Sequence, residues 1–229
     1  MRYIFHFEVI QPHLGAFLAA GLETIQLAVI CMAIGTAIGL VIGALHTTRS
    51  RFITKLCAIY VETFRLTPFL VQLLWIYFGF PLILGISISP VVAAVAALSL
   101  NCSAYAAEIF RAGIQSVPKT QLLTGLSLGM TLPKVMWRII VPQGIRIVMP
   151  SYVNLMVQIV KDTSMFAIIA VSEITGFTKV LASQTFRAFE LYTIVAIFYF
   201  CVTFVVGKVG RFIEYRVLNV HKIAARPRD

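Results

Sequence analysis

Residues 108–146 read EIFRAGIQSVPKTQLLTGLSLGMTLPKVMWRIIVPQGIR, and the reading of this stretch decides the fold. It is polar, punctuated by Gly and Pro, and carries five basic residues, Arg111, Lys119, Lys134, Arg138 and Arg146. Long apolar segments flank it on both sides. A chain that places a structured basic insertion between apolar spans presents that insertion to the cytosol. The composition agrees: the 229 residues are 59% hydrophobic and only 12% charged, with a mean hydropathy of +0.91. A soluble domain is nearer about 25% charged. Several runs here reach the ~20 apolar residues needed to cross about 30 Å of hydrocarbon. The net charge of +10 is spread through short loops beside those runs. That is the pattern of membrane orientation and not of a nucleic-acid-binding surface.

Working outward, the apolar runs predict five spans, at about 17–45, 67–86, 88–110, 145–170 and 190–212. Residues 52–66, with Lys55, Glu62 and Arg65, read as a segment along the inner interface, and 172–190 as a polar connection. Arg49, Arg51 and Lys55 follow the first span, five basic residues follow the third, and Lys208, Arg211, Arg216, Lys222, Arg226 and Arg228 follow the fifth. The opposite connections hold Arg2, Lys179 and Arg187. Lys and Arg collect on the cytoplasmic side, so the N-terminus is expected outside and the C-terminus in the cytoplasm. The N-terminus lacks a basic region followed by a small-residue cleavage site, so a removed signal peptide is not expected. No internal repeat is evident, and residues 1–229 read as one integral membrane domain containing a cytosolic loop at 111–145.

In the first span Gly35, Gly39 and Gly43 recur every four residues and share one helix face, where small residues let another helix approach closely. Within the insertion, Ser116 is the expected N-cap and Pro118 falls in the first turn of a short helix over 118–129. Leu122, Leu123 and Leu126 give that helix an apolar stripe, and Gly129 ends it. Thr131 and Pro133 repeat the start signal for a second short helix with Val135, Met136 and Trp137. Two such helices either bury their stripes on the membrane and their own spans or dock into a groove on a soluble partner.

At this point the sequence resembles the permease subunits of bacterial ATP-binding-cassette importers for polar amino acids, the histidine/glutamine permease-like group. YVETFRLTPFLVQLLWIYFGFP at 60–81 is similar to that group's second-span signature, and AAEIFRAGIQSVPKTQ at 106–121 to the lead-in of its coupling loop. Gly129, VPQ at 141–143 and Pro150 match the later loop, and KDTS at 161–164 matches a fourth-span motif. The resemblance implies an all-α polytopic fold of the type I importer kind, with five transmembrane helices and a cytosolic coupling-helix loop in the bacterial inner membrane. It implies a dimer of ATP-binding subunits, a second permease subunit (identical or different), an extracytoplasmic solute-binding protein and a polar amino acid as cargo. It assigns ATPase docking to Gln121, Leu122, Leu123, Gly125, Leu126 and Gly129. Where the group carries Glu-Ala-Ala, this chain has Leu123, Thr124 and Gly125. The acidic contact is missing, and the leucines are left to carry the docking.

Polar groups at membrane depth mark pathways. Lys161 lies 15 residues beyond Arg146, about 22 Å along a helix. Asn101 precedes Arg111 by 10 residues, about 15 Å, so Asn101 and Asp162 can reach similar levels on neighbouring spans. Asp162 is the expected acceptor for an amino-acid ammonium, with Asn101, Thr163 and Ser164 as hydrogen-bonding partners. Lys161 and Asp162 alternatively form an internal ion pair that only shapes the helix. Glu62 with Arg65 and Glu108 with Arg111 have the spacing of local helical pairs, and Glu173 is placed facing an external vestibule. The four cysteines, Cys31, Cys57, Cys102 and Cys201, show no metal-ligand spacing and read as small buried hydrophobes. No GxxxxGK[ST] loop occurs, so no bound cofactor or metal is expected in this chain, ATP and Mg²⁺ being used by the partner subunit. An ion-coupled carrier for a small polar solute is the competing reading.

Overall fold

The computed structural model describes residues 6–48 and 50–224, with side chains up to Arg216. Arg2, Arg49, Arg226, Arg228 and the Lys222 side chain, counted above among the orienting charges, lie outside the described residues. Every regular element among them is helical. A 3₁₀ turn at Phe7–His13 leads into α1, Leu14–His46. Next come α2, Arg51–Leu66, and α3, Phe69–Leu84, which contains a π turn at Trp75–Gly79. α4 is Pro90–Ser116 and α5 is Lys119–Ser127. α6, Leu132–Ile169, has a π turn at Met136–Ile140 and closes in a 3₁₀ turn from Thr163 to Ile169. α7 is Ile174–Thr185 and α8 is Ala188–Ala224.

Three helical stretches, Phe7–His46, Pro90–Ser116 and Ala188–Arg216, are long and apolar enough to cross a membrane. Two bent pairs, α2 with α3 at 105° and α6 with α7 at 45°, bring the number to five when each pair is one span. The centre of the bundle is the α1–α4 contact. A Cβ at Gly35 would lie 2.6 Å from the Cys102 Cβ, one at Gly39 would lie 2.8 Å from the Ser103 carbonyl, and one at Gly43 would lie 2.9 Å from that of Ala107. The contacts climb both helices in the same order, so α1 and α4 run parallel. Cys31, Ala97, Leu98, Cys102 and Ala106 fill the seam. Such small side chains suit helices that meet through close packing, since lipid supplies no hydrophobic drive.

Four sequence expectations change. Residues 52–66 do not lie apart as an interfacial helix: Tyr60 donates to the Leu100 carbonyl halfway along α4, and Cys57 and Val61 are buried. The amphipathic face of α2 is spent on the bundle. Ser116 does not cap α5, for it ends α4 and its hydroxyl donates to the Gly113 carbonyl. Val117, preceding Pro118, is extended, which moves the next helix start past the proline. The second short helix is instead the first turn of α6. There the Val141 N–H reaches back to the Met136 carbonyl, a π turn one residue before Pro142, which has no N–H to offer. Residues 172–190 are also more than a connection, because α7 buries Ile174, Leu181 and Ala182 against Phe17, Leu191 and Val195.

Candidate functional site: a polar cavity behind a broken helix

The break between α2 and α3 builds the site. Thr67 precedes Pro68 and takes an extended conformation, φ −98° and ψ 142°. Stopping α2 there frees backbone carbonyls that need donors. Gln72 Nε2 supplies them, donating to the Phe64 carbonyl at 2.8 Å, the Thr67 carbonyl at 3.0 Å and the Thr67 hydroxyl at 2.6 Å. Asn101 Nδ2, from α4, donates to the Phe64 carbonyl at 3.2 Å and to Gln72 Oε1 at 3.0 Å. Two side-chain amides thus stitch the 105° bend to the neighbouring helix. Gln72→Leu should lower stability by about 1–3 kcal/mol, the usual cost of orphaning buried polar groups, read as an earlier thermal unfolding midpoint in detergent.

Against this bend lies a cavity of about 580 Å³. The bend contributes Arg65, Thr67 and Phe69, α4 contributes Asn101, Tyr105 and Ile109, and α6 contributes Ser151, Asn154, Leu155, Gln158, Ile159 and Asp162. Ser151, Asn154, Gln158 and Asp162 are spaced three, four and four residues apart, which lays them along one face of α6. Asp162 is buried, and its Oδ1 accepts from Gln158 Nε2 at 2.8 Å. Of the lining side chains, Arg65 is the cation and Asp162 the anion.

Asn101 and Asp162 therefore line one cavity, while Lys161, Thr163 and Ser164 do not. Lys161 is exposed and forms no ion pair with Asp162 among the described residues. The Thr163 hydroxyl is buried and donates to the Val160 carbonyl at 2.7 Å, and that of Ser164 donates to the Lys161 carbonyl at 2.7 Å. Both bond back into the helix end and not into the cavity. Arg65 pairs with Glu108 at 3.9 Å and not with Glu62. Ser151, Asn154 and Gln158, not among the expected pathway residues, line the cavity, and so does Arg65, expected chiefly as a local partner of Glu62. Ser151, Asn154 and Gln158 share the helical spacing of Asp162, a signal the sequence offers, whereas Arg65 comes from α2 and carries no such signal. Glu173 is placed differently too: it is fully buried and faces no vestibule. Its carboxylate accepts from the Gly176 N–H at 2.9 Å, the Thr24 hydroxyl at 3.2 Å and the Tyr199 hydroxyl at 3.0 Å, so it caps α7 and ties it to α1 and α8.

On the loop between α4 and α6, Gln121 Oε1 accepts from Gln143 Nε2 at 2.5 Å, and Leu122 packs against Val117, Val135 and Ile140. Gly125 is buried, and a Cβ there would meet Val135 Cγ2 at 2.8 Å. These three residues hold the loop together. Gly129 takes φ +77° and donates its N–H to the Leu126 carbonyl, while the Met130 N–H reaches Gly125, the left-handed ending that glycine permits. Leu123, Leu126 and Leu128 are left exposed, Leu123 by 60% and Leu128 by 77%.

The pattern of the binding-protein-dependent transport system inner membrane components matches residues 35–219. The chain belongs to that family. This permease is 35% identical over 199 residues to a probable amino-acid ABC transporter permease of Sinorhizobium fredii, covering 85% of the chain and 84% of the relative. It is 31% identical over 214 residues to the glutamine transport system permease of Escherichia coli, covering 93% and 98%. Among solved structures, it superposes on a chain of an amino acid ABC transporter crystallised with histidines at a TM-score of 0.87, with 34% identity, covering 93% of the permease and all of that chain. The permease is accordingly an all-α inner-membrane component of the amino-acid ABC importer kind.

Proposed function

We propose that this permease carries a polar amino acid inward through the cavity at the α2–α3 break, powered by a partner ATPase dimer that binds ATP and Mg²⁺. The observation that carries this reading is the charge inventory of the cavity: one guanidinium, one carboxylate, and otherwise amides, hydroxyls and apolar side chains. Charges at membrane depth are costly and rarely kept without use. A zwitterion needs donors for its carboxylate and an acceptor for its ammonium, which Arg65 and Asp162 supply. Asn101 holds the bend as well as lining the pathway. Lys161, Thr163 and Ser164 shape the end of α6, and Gly35, Gly39 and Gly43 serve helix packing.

Leu123, Leu126 and Leu128 are the groups available for docking to the ATPase, on a loop whose form is set by Gln121, Leu122, Gly125 and Gly129. An extracytoplasmic binding protein delivers the amino acid, and a second permease subunit, identical or different, completes the pathway. The collection of Lys and Arg on one side supports an N-terminus outside and a C-terminus in the cytoplasm. Nothing found favours an ion-coupled carrier, which has no use for exposed leucines below the membrane.

Reconstitution tests the proposal. Proteoliposomes containing the permease with its ATPase and binding protein should accumulate amino acids from a mixture of the twenty standard L-amino acids only when ATP is supplied to the ATPase side. Equal accumulation without ATP overturns it.

A further inference from the structure

At the end of the cavity away from Asp162, a second charged cluster begins. Asn101, Tyr105 and Glu108 are spaced four and three residues apart, so Glu108 continues the cavity-facing stripe of α4 toward the loop. Its carboxylate is gripped by Arg111, with Nε 2.8 Å from Oε2 and Nη2 2.5 Å from Oε1. Arg111 is itself extended by a bond from Nη1 to Gln115 Oε1 at 2.8 Å. Both carboxylate oxygens are thus occupied by one guanidinium. Arg65 is left at 3.9 Å from Oε1, beyond hydrogen-bond range but within strong Coulomb range. Its side chain lies over the Tyr105 ring, 5.6 Å from the centroid, and the Tyr105 hydroxyl donates to the Arg65 carbonyl at 3.4 Å.

Arg65 is therefore steered by backbone and ring, attracted by Glu108, and free to give its N–H donors elsewhere. We propose that Glu108 is an internal counter-ion that competes with the passenger's carboxylate for Arg65, so that the amino acid is held loosely and released inward. This rests on the cavity reading above. A carboxylate arriving in the cavity forms the bidentate pair with Arg65 that Glu108, already forked by Arg111, does not form. On release, Glu108 again neutralises Arg65. Arg111 sets the strength of that competition by occupying Glu108.

The proposal predicts opposite signs for two neutralising substitutions, which a purely bracing role for the Glu108–Arg111 pair does not. Glu108→Gln removes the competitor and should tighten retention of amino acids about fivefold, the upper range for a partly exposed ion pair. Arg111→Gln frees both Glu108 oxygens for Arg65 and should weaken retention. The measurement is equilibrium dialysis of the purified permease–ATPase complex, without binding protein, against an equimolar mixture of the twenty standard L-amino acids, with retained species quantified by mass spectrometry. A parallel mixture of the corresponding α-carboxamides should show no gain in Glu108→Gln, since the gain acts through the carboxylate. Tightened retention of the acids alone supports the proposal, and a gain cannot come from misfolding. Retention by the wild type that Glu108→Gln leaves unchanged or lowers overturns the counter-ion role alone. No retention by the wild type overturns the cavity reading and the proposal with it.

Discussion

Leu123→Asp should yield a permease that inserts and folds but purifies without its ATPase, with co-purification and substrate-stimulated ATP hydrolysis both lost. The side chain is 60% exposed, so the carboxylate remains hydrated in the isolated subunit and the fold is untouched. With the loop docked as proposed, the same position meets the ATPase, where an unpaired buried charge costs several kcal/mol. A loss of that size is on the order of a thousandfold in affinity. Leu122→Asp gives the contrast. Leu122 packs on Val117, Val135 and Ile140, so its replacement disrupts the loop itself and lowers thermal stability before any partner is present. Normal ATPase recovery with Leu123→Asp would remove the loop from the docking surface.

Gly39→Val has the other large effect. A Cβ at Gly39 lies 2.6 Å from the Ala106 Cβ and 2.8 Å from the Ser103 carbonyl, and a carbonyl in the middle of a helix has no rotamer by which to yield. The two helices must separate, and the contacts at Gly35 and Gly43 loosen with them. Overpacking of this kind costs about 3 kcal/mol, at the upper end for a single inserted group. The expected result is loss of the folded protein from detergent extracts, seen as aggregation on size exclusion. Gly15 is the control: nothing lies within 4 Å of a Cβ placed there, and Gly15→Ala should leave the elution profile unchanged.

The long spans and the glycine face were legible in the sequence because composition and spacing act within one helix. Gly129 was legible for the same reason, since a left-handed helix ending has a local residue preference. What crosses between helices was not. Glu173 is polar and follows an apolar run, which suggested exposure, yet Thr24 and Tyr199 arrive from distant segments to satisfy it. The cavity was half legible. Asn101 and Asp162 stand out as polar groups in apolar surroundings, but the spacing of Arg65 pairs it locally with Glu62, and only the packing of α2 on α4 brings it to Glu108. Pro68 is compatible with a helix start, and nothing in its local chemistry fixes the 105° angle between α2 and α3. A serine shortly before a proline signals a cap, whereas Ser116 still belongs to the preceding helix and donates to its Gly113 carbonyl.

The glycine seam has a mechanical corollary. Two helices joined so closely bend poorly and tilt together, like planks glued along their length. α4 is 27 residues long, about 40 Å, so a 10° rocking at its Ser116 end sweeps its far tip by about 7 Å. Because only Val117 and Pro118 separate that end from α5, a small displacement of the exposed leucines is magnified at the Pro90 end of α4.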